Sequence, residues 1–335
     1  MDHKKLEVFA QDKILGHIDK IYNWLNDNDQ SLITVELDMT NKCNAKCPQC
    51  AGGRKSSNSL SEHQALSIIK QIADLNAKAI IFSGGGEPLL NPSTLTAIKY
   101  ASKIGLDVGL ITNGIELVDT DVILKHCTWC RISLDAGTSE VYEMTHGQGN
   151  KLFVKVVNNI KRMVQQKKLM GSKCTIGTGY LTGKSTMNGM LDFAKLSKEL
   201  GVDYAQFRPF HHDAISIHEN LVVAKKLETD TFKMLFSEHK YNHFDKPRSY
   251  DKCYGVNFAA VVTADYEMTV CCHTRGMTEF TLGDLNKNSL IEIWSNRQSV
   301  FDKIDISKCL LCCRCDTINI VLDNMISNNP HGNFL

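Results

Sequence analysis

Six short apolar strands alternate with amphipathic helices over residues 33–210, and seven of the thirteen cysteines fall between 253 and 315. The alternation predicts an α/β protein, because repeated βα units build a parallel sheet with right-handed crossovers. Eight units close a full barrel. Six predict a partial (β/α)6 TIM-like barrel, open on one side, with a small C-terminal cysteine-rich cap.

The elements follow in order. Residues 14–26 set Ile14, Leu15, Ile18, Ile21, Tyr22 and Leu25 at helical spacing, so 1–30 reads as an N-terminal helical segment. Residues 33–39 alternate as a strand and run straight toward Cys43. A helix is expected over 61–75, capped by Ser59 or Ser61, then a buried strand over 79–83 that ends in three glycines. Helix 92–104 has Pro92 near its first turn. Strand 107–112, a helix around 119–126, strand 130–135, a long helix over 151–168 and strand 174–181 come next. Helix 187–200 stops at Gly201, and 203–209 is the sixth strand. The barrel is thus expected over 31–215, a linker over 216–250 and the cap over 251–335. In such sheets the chemistry sits at the carboxyl ends of the strands, where Cys43, Gly84 and Asn113 fall.

Composition narrows the class. The 335 residues, 43% hydrophobic and 22% charged, fit a soluble globule of roughly two units of ~150 residues. A net charge of +1 supplies no basic field for nucleic acid or an anionic membrane surface. No stretch reaches the ~18 apolar residues of a membrane span, and the first residues lack the apolar core of a signal peptide. A cytoplasmic protein is therefore expected. Disulfides are disfavoured there, so clustered cysteines point to metal or catalysis. Cys127, Cys130 and Cys174 stand alone and read as small buried hydrophobes.

Cys43, Cys47 and Cys50 form C-x3-C-x2-C on a loop after a strand. Three thiolates can hold three irons of a cubane and leave the fourth open to another ligand. Zinc would need further ligands nearby, and the sequence offers none. The motif in this place resembles that of radical S-adenosylmethionine (SAM) enzymes. The resemblance implies that the open iron of a 4Fe-4S cluster binds the amino and carboxylate groups of S-adenosylmethionine. An electron, expected from a flavodoxin- or ferredoxin-type reductant, then splits the sulfonium into methionine and a 5′-deoxyadenosyl radical, which takes a hydrogen from substrate.

Further segments resemble the same family. Gly84, Gly85, Gly86 and Glu87 resemble the segment that holds the methionine amino group. Bare backbone approaches a ligand closely, and a carboxylate accepts from an ammonium. Thr112-Asn113-Gly114 resembles the family's turn after strand three. Ser133 and Asp135, placed on one face by strand alternation, resemble the serine and aspartate that meet the cofactor's carboxylate and ribose. Gln206, Arg208 and Pro209 resemble the segment whose arginine points toward the cofactor.

The later cysteines resemble the SPASM/twitch extension of that family. Cys253 is followed 18 positions later by Cys271, then by Gly283-Asp-Leu, by Ser289-Leu-Ile-Glu-Ile-Trp294, and by Cys309, Cys312, Cys313 and Cys315. The crowded final cysteines imply one auxiliary 4Fe-4S cluster rather than two. Its first ligands are expected to be Cys253 and Cys271, with either Cys309/Cys312 or Cys312/Cys315 completing it. Cys272 and Cys313 each follow a candidate ligand and are left as structural cysteines or as a thiol hydrogen donor. Four cysteines in two halves are also a zinc pattern.

A fully ligated auxiliary cluster implies electron transfer, hence oxidation of a substrate radical or return of an electron during epimerisation. The layout is similar to twitch dehydrogenases acting on an aminocyclitol, which implies a sugar, cyclitol or nucleoside substrate. His211 and His212, just past strand six, are candidate contacts or proton acceptors. The alternative is a maturase of ribosomally made peptides. The segment before the first strand is expected to be too short for a separate leader-binding domain.

Overall fold

The computed structural model describes residues 13–26, 31–50, 56–210, 218–243, 247–309 and 316–327. After a 3-10 turn at Lys13–His17, α1 (Ile18–Leu25) leads to β1 (Thr34–Asp38). Then come α2 (Glu62–Asp74), β2 (Ala79–Ser83), α3 (Thr94–Lys103), β3 (Asp107–Thr112), α4 (Thr120–His126) and β4 (Trp129–Ser133). They are followed by α5 (Ser139–His146), α6 (Asn150–Met170), β5 (Thr175–Thr182), α7 (Met190–Leu200) and β6 (Tyr204–Pro209). All six expected strands are present within a residue or two of their sequence limits.

The expected linker over 216–250 holds further structure. α8 (His218–Lys225), β7 (Lys233–Phe236) and α9 (Glu238–His243) follow β6, and β7 pairs in parallel with it. The barrel therefore has a seventh strand. Its four residues alternate between half-buried and buried, too short a run to stand out in the sequence.

The cap is continuous with the barrel. β8 (Ala259–Val262) pairs in parallel with β1, and β9 (Glu267–Thr269) and β10 (Thr281–Asp284) add antiparallel. α10 (Leu290–Ser295), α11 (Gln298–Phe301) and α12 (Asp316–Ile326) follow. The strands form one open sheet in the order β10-β9-β8-β1-β2-β3-β4-β5-β6-β7.

The helices form where apolar spacing and caps agree. In α2, Ala65, Ile68, Ile69 and Ile72 lie on one buried stripe, and Ser61 exchanges a capping box with Gln64. α7 ends at Gly201 in a left-handed conformation, φ +73°. The core fills the space between the strands and this helical layer, with Phe82, Phe193 and Phe207 fully buried. At the other end α1 and α12 meet: Ile14, Ile21, Phe258 and Leu322 form a separate apolar cluster with Trp24 against Tyr254 and Phe258. Among the described residues no helix is long and apolar enough to cross a membrane.

Candidate active site

The three cysteines of the first group sit on the loop that leaves the carboxyl end of β1. Cys43 and Cys47 are half-buried and pack against the main core, while Cys50 is exposed. The loop is fixed from three sides. Asn113 Nδ2 donates to Asn44 Oδ1 at 2.7 Å and lies 3.8 Å from Cys43 Sγ. Gln148 Nε2 donates to Asn44 O at 2.8 Å, and Lys46 N donates to His146 O at 3.0 Å. These contacts hold the loop at Asn44 and Lys46, between Cys43 and Cys47.

The glycine segment after β2 lies directly against this loop. Gly86 N donates to Thr40 O at 2.9 Å, and Glu87 N donates to Lys42 O at 2.8 Å. A Cβ on Gly86 would lie 2.1 Å from Lys42 O, so only glycine fits there. Gly84 has φ +154°, a conformation that side chains disfavour.

Glu87 is buried, and burial raises its carboxyl above the usual range. It accepts from Thr112 Oγ1 and Asn113 N, both at 2.7 Å, and from Leu89 N at 3.1 Å. A carboxylate offers about four acceptor positions, so two bonds from the end of β3 and one from Leu89 leave room for one more donor, such as an ammonium.

The fourth strand departs from the expected geometry. β4 stops at Ser133, so strand alternation does not carry Asp135; a left-handed turn at φ +46° does. Asp135 Oδ1 accepts from Leu181 N at 2.7 Å, and burial raises its carboxyl. Ser133 is half-buried at the strand end, and its carbonyl accepts from His146 Nε2 at 3.0 Å. Burial lowers the His146 pKa. Arg208 lies near the end of β6, its Nε buried without a partner. His211 and His212 lie outside the described residues.

Charged groups that no sequence motif marks stand beside these positions. Glu36 and Asp38, both buried on β1, are bound by Arg275 of the cap. Arg275 Nε and Nη2 donate to the two Asp38 oxygens at 2.6 and 2.8 Å, and Nη2 also reaches Glu36. Ser83 Oγ donates to Glu36 Oε1 at 2.6 Å.

In the cap, Cys253, Cys271 and Cys309 pack around one apolar cluster formed by Val256, Val270 and Phe280. Asn319 Nδ2, from α12, donates to Cys253 Sγ at 3.6 Å, and Arg248 Nη2 donates to Cys309 O at 3.0 Å. Burial, then Cys253, push the Cys309 thiol up. Thiols gathered in apolar surroundings stay protonated unless a metal holds them as thiolates. Cys312, Cys313 and Cys315 lie outside the described residues. Cys272 diverges from Cys271: its neighbours are Asp38 and Arg275, and Arg275 Nη1 donates to Cys272 O at 2.7 Å.

Among the described residues no three His, Cys, Asp or Glu side chains converge closely enough to hold a single ion. A four-iron cubane spreads its ligands wider than one ion does. Cys127, Cys130 and Cys174 are buried, and burial pushes all three thiols up, which makes them inert packing groups.

Three cysteines on the loop after β1, at the mouth of an open parallel barrel, and three packed around one apolar cluster of the cap suit an iron–sulfur protein with a ligand-handling barrel. The chain matches the radical SAM superfamily over residues 37–206 and the SPASM iron–sulfur cluster-binding domain over 253–316. It belongs to the radical SAM superfamily. Its cofactors are a SAM-binding 4Fe-4S cluster, S-adenosylmethionine and an auxiliary iron–sulfur cluster in the cap.

Among curated relatives, the tungsten-containing aldehyde ferredoxin oxidoreductase cofactor-modifying protein of Pyrococcus furiosus is 22% identical over 78% of this chain and 80% of its own. The dTDP-4-amino-4,6-dideoxy-D-glucose ammonia-lyase of Streptomyces venezuelae is 28% identical over 52% of this chain, which spans 36% of that protein. In fold, the chain is similar to Streptococcus suis SuiB, solved with its precursor peptide SuiA. The TM-score is 0.64 at 12% identity, covering 84% of this chain and 69% of SuiB.

Proposed function

We propose that this radical SAM enzyme acts on a small polar substrate, a sugar, cyclitol or nucleoside, and oxidises or epimerises it. The observation that carries the reading is the polar interior of the barrel. Glu36, Asp38, Ser83, Arg131 and Gln206 are buried polar side chains on β1, β2, β4 and β6. A chamber of this kind matches hydroxyls and charges better than an apolar side chain. The sugar in the name of the Streptomyces venezuelae ammonia-lyase supports the same direction.

The cluster and S-adenosylmethionine together supply the hydrogen-abstracting radical. The chain's own residues do the rest. Gly84, Gly85 and Gly86 give backbone access to the ligand, Glu87 offers its remaining acceptor position to an ammonium, and Ser133, Asp135 and Arg208 border the same end of the barrel. Asn113 orients the cysteine loop. Cys253, Cys271, Cys309 and Cys312 would hold the auxiliary cluster, and a flavodoxin- or ferredoxin-type protein is the proposed reductant.

Maturation of a ribosomally made peptide is the second reading, supported by the fold shared with SuiB, which was solved with a precursor peptide. Anaerobic reconstitution with iron and sulfide, followed by iron counting and product analysis, tests the proposal. About eight irons per chain, about four of them lost in the Cys43/Cys47/Cys50→Ala variant, are expected for two cubanes. Deuterium from a sugar, cyclitol or nucleoside candidate should then appear in 5′-deoxyadenosine. Deuterium transfer only from a peptide would select the second reading.

A further inference from the structure

Three polar side chains share the inner face of the barrel around Ser133: Arg131 two residues below it, Gln206 level with it across Gly179, and Arg208 two residues above. Arg131 precedes Ser133 by two residues on β4, about 6–7 Å nearer the amino ends of the strands. It is 8% exposed. Its stem passes over Gly179, where an added Cβ would lie 3.6 Å from Arg131 Cδ. Arg131 Nη1 donates to Gln206 Oε1 at 2.7 Å. That bond turns the Gln206 oxygen toward Arg131 and leaves the amide nitrogen, with its two donors, to offer elsewhere. Arg208 follows two residues later on β6 and shares that face.

The charges of Asp135 and Glu36 act on Arg131, and that of Asp135 on Arg208 as well, yet among the described residues neither acid is hydrogen-bonded to either arginine. Glu36 and Asp38 hold Arg275, and Asp135 Oδ1 accepts from Leu181 N. Neither Arg131 nor Arg208 forms an ion pair among the described residues, and the Nε of each is buried without a partner. Burial, and next the charge of Arg208, bring the Arg131 guanidinium down to about 10. Arg131 is buried and Arg208 half-buried, so their like charges are only partly screened and an anion between them turns that repulsion into attraction.

We propose that Arg131, Gln206 and Arg208 form a subsite for an anionic group of the substrate, a carboxylate or a phosphate. The proposal deepens the reading of the barrel interior as a substrate chamber and rests on it. Two guanidinium groups and an amide nitrogen disfavour cations and suit a group with two or three acceptor oxygens. Arg131 is the deepest of the three, so a substrate anchored on it points its other end toward the cysteine loop.

The test uses reconstituted holoenzyme with saturating S-adenosylmethionine, titrated anaerobically with inorganic phosphate and with acetate. The rise in unfolding temperature gives the affinity, and the tighter ion identifies the group. Arg131→Gln should weaken that ion at least about tenfold while the S-adenosylmethionine dissociation constant stays within about twofold. Gln206→Glu is a second variant that keeps the shape and places a carboxylate between the arginines. It should abolish ion binding and leave the unfolding temperature equal or higher. The proposal fails if neither ion binds the wild type, or if both variants bind as the wild type does. It also fails if S-adenosylmethionine affinity falls as far as ion affinity, which would assign Arg131 to the cofactor. Iron content and S-adenosylmethionine cleavage in the same samples report on the enzyme class, so the subsite can fail while the underlying reading stands.

Discussion

Arg275 and Asp38 are 237 residues apart and form a two-pronged ion pair, at 2.6 and 2.8 Å, inside the molecule. Asp38 ends the strand that leads to Cys43, and Arg275 lies four residues after Cys271. One guanidinium thus ties the loop of one cysteine group to the loop of the other. Removing it leaves two buried carboxylates, Glu36 and Asp38, without their counterion. Arg275→Gln is expected to cost about 3–5 kcal/mol, the usual effect of breaking a buried pair from one side. Thermal or denaturant unfolding of the reconstituted protein measures it, and a loss under about 1 kcal/mol would show that the pair is not holding the cap to β1.

Gly86→Ala should separate the glycine segment from the cysteine loop, because its Cβ would meet the carbonyl of Lys42 at 2.1 Å. We expect S-adenosylmethionine affinity to fall at least about tenfold. Gly149→Ala is the control, since a Cβ there meets nothing within 4 Å. Equilibrium dialysis on both variants decides the matter, and equal affinities would remove the steric argument.

Adjacent cysteines should behave differently. Cys271 packs with Cys253 and Cys309, whereas Cys272 lies beside Asp38 and Arg275. Cys271→Ala should lose the auxiliary iron, about four atoms per chain, and Cys272→Ala should retain it. Iron analysis with electron paramagnetic resonance of the reduced protein distinguishes them. Equal loss in both would contradict the divergence.

His146 supplies a pH dependence. Burial depresses its folded pKa below the ordinary histidine value of about 6.5, so the unfolded chain takes up the proton first as the solution is acidified. Its contribution is complete above about pH 6.5 and is lost as pH falls through the depressed folded value. His146 also anchors Ser133 and, through its carbonyl, Lys46. His146→Gln keeps a side-chain donor but cannot titrate, and should flatten the acid limb of an unfolding-temperature profile. An unchanged profile would assign that limb to other groups.

Ser61→Ala removes the acceptor for Gln64 N and one half of the α2 capping box. A loss of about 1 kcal/mol is expected, with iron content unchanged.

Most of the scaffold was legible because its signals are local. β1 through β6 and α2, α3, α6 and α7 carry clear periodicities, and Ser61 and Gly201 mark a beginning and an end. α5 left no such mark, since only Tyr142 and His146 of its eight residues are buried. The turn at Asp135 was read as strand because apolar Ile132 and Leu134 continue the alternation past Ser133. The cysteine loop and the glycine segment announced themselves by spacing. The Arg275 pair could not, because nothing links position 275 to positions 36 and 38 except the folded chain. The grouping of Cys309 with Cys253 and Cys271 is likewise a matter of packing around Val256, Val270 and Phe280, which spacing does not encode.

The parallel pairing of β8 with β1 has a consequence for how the protein can be divided. β1 is an interior strand only because Ala259–Val262 lies beside it in register from Thr34 to Leu37. A chain cut before β8 would expose the backbone donors and acceptors of β1 along one flank, and bare strand flanks recruit other chains. The barrel and its cap are therefore not interchangeable modules joined by a tether. A hybrid that borrows a cap from a relative must bring a strand that fits this register, or it will aggregate before any cluster can be loaded.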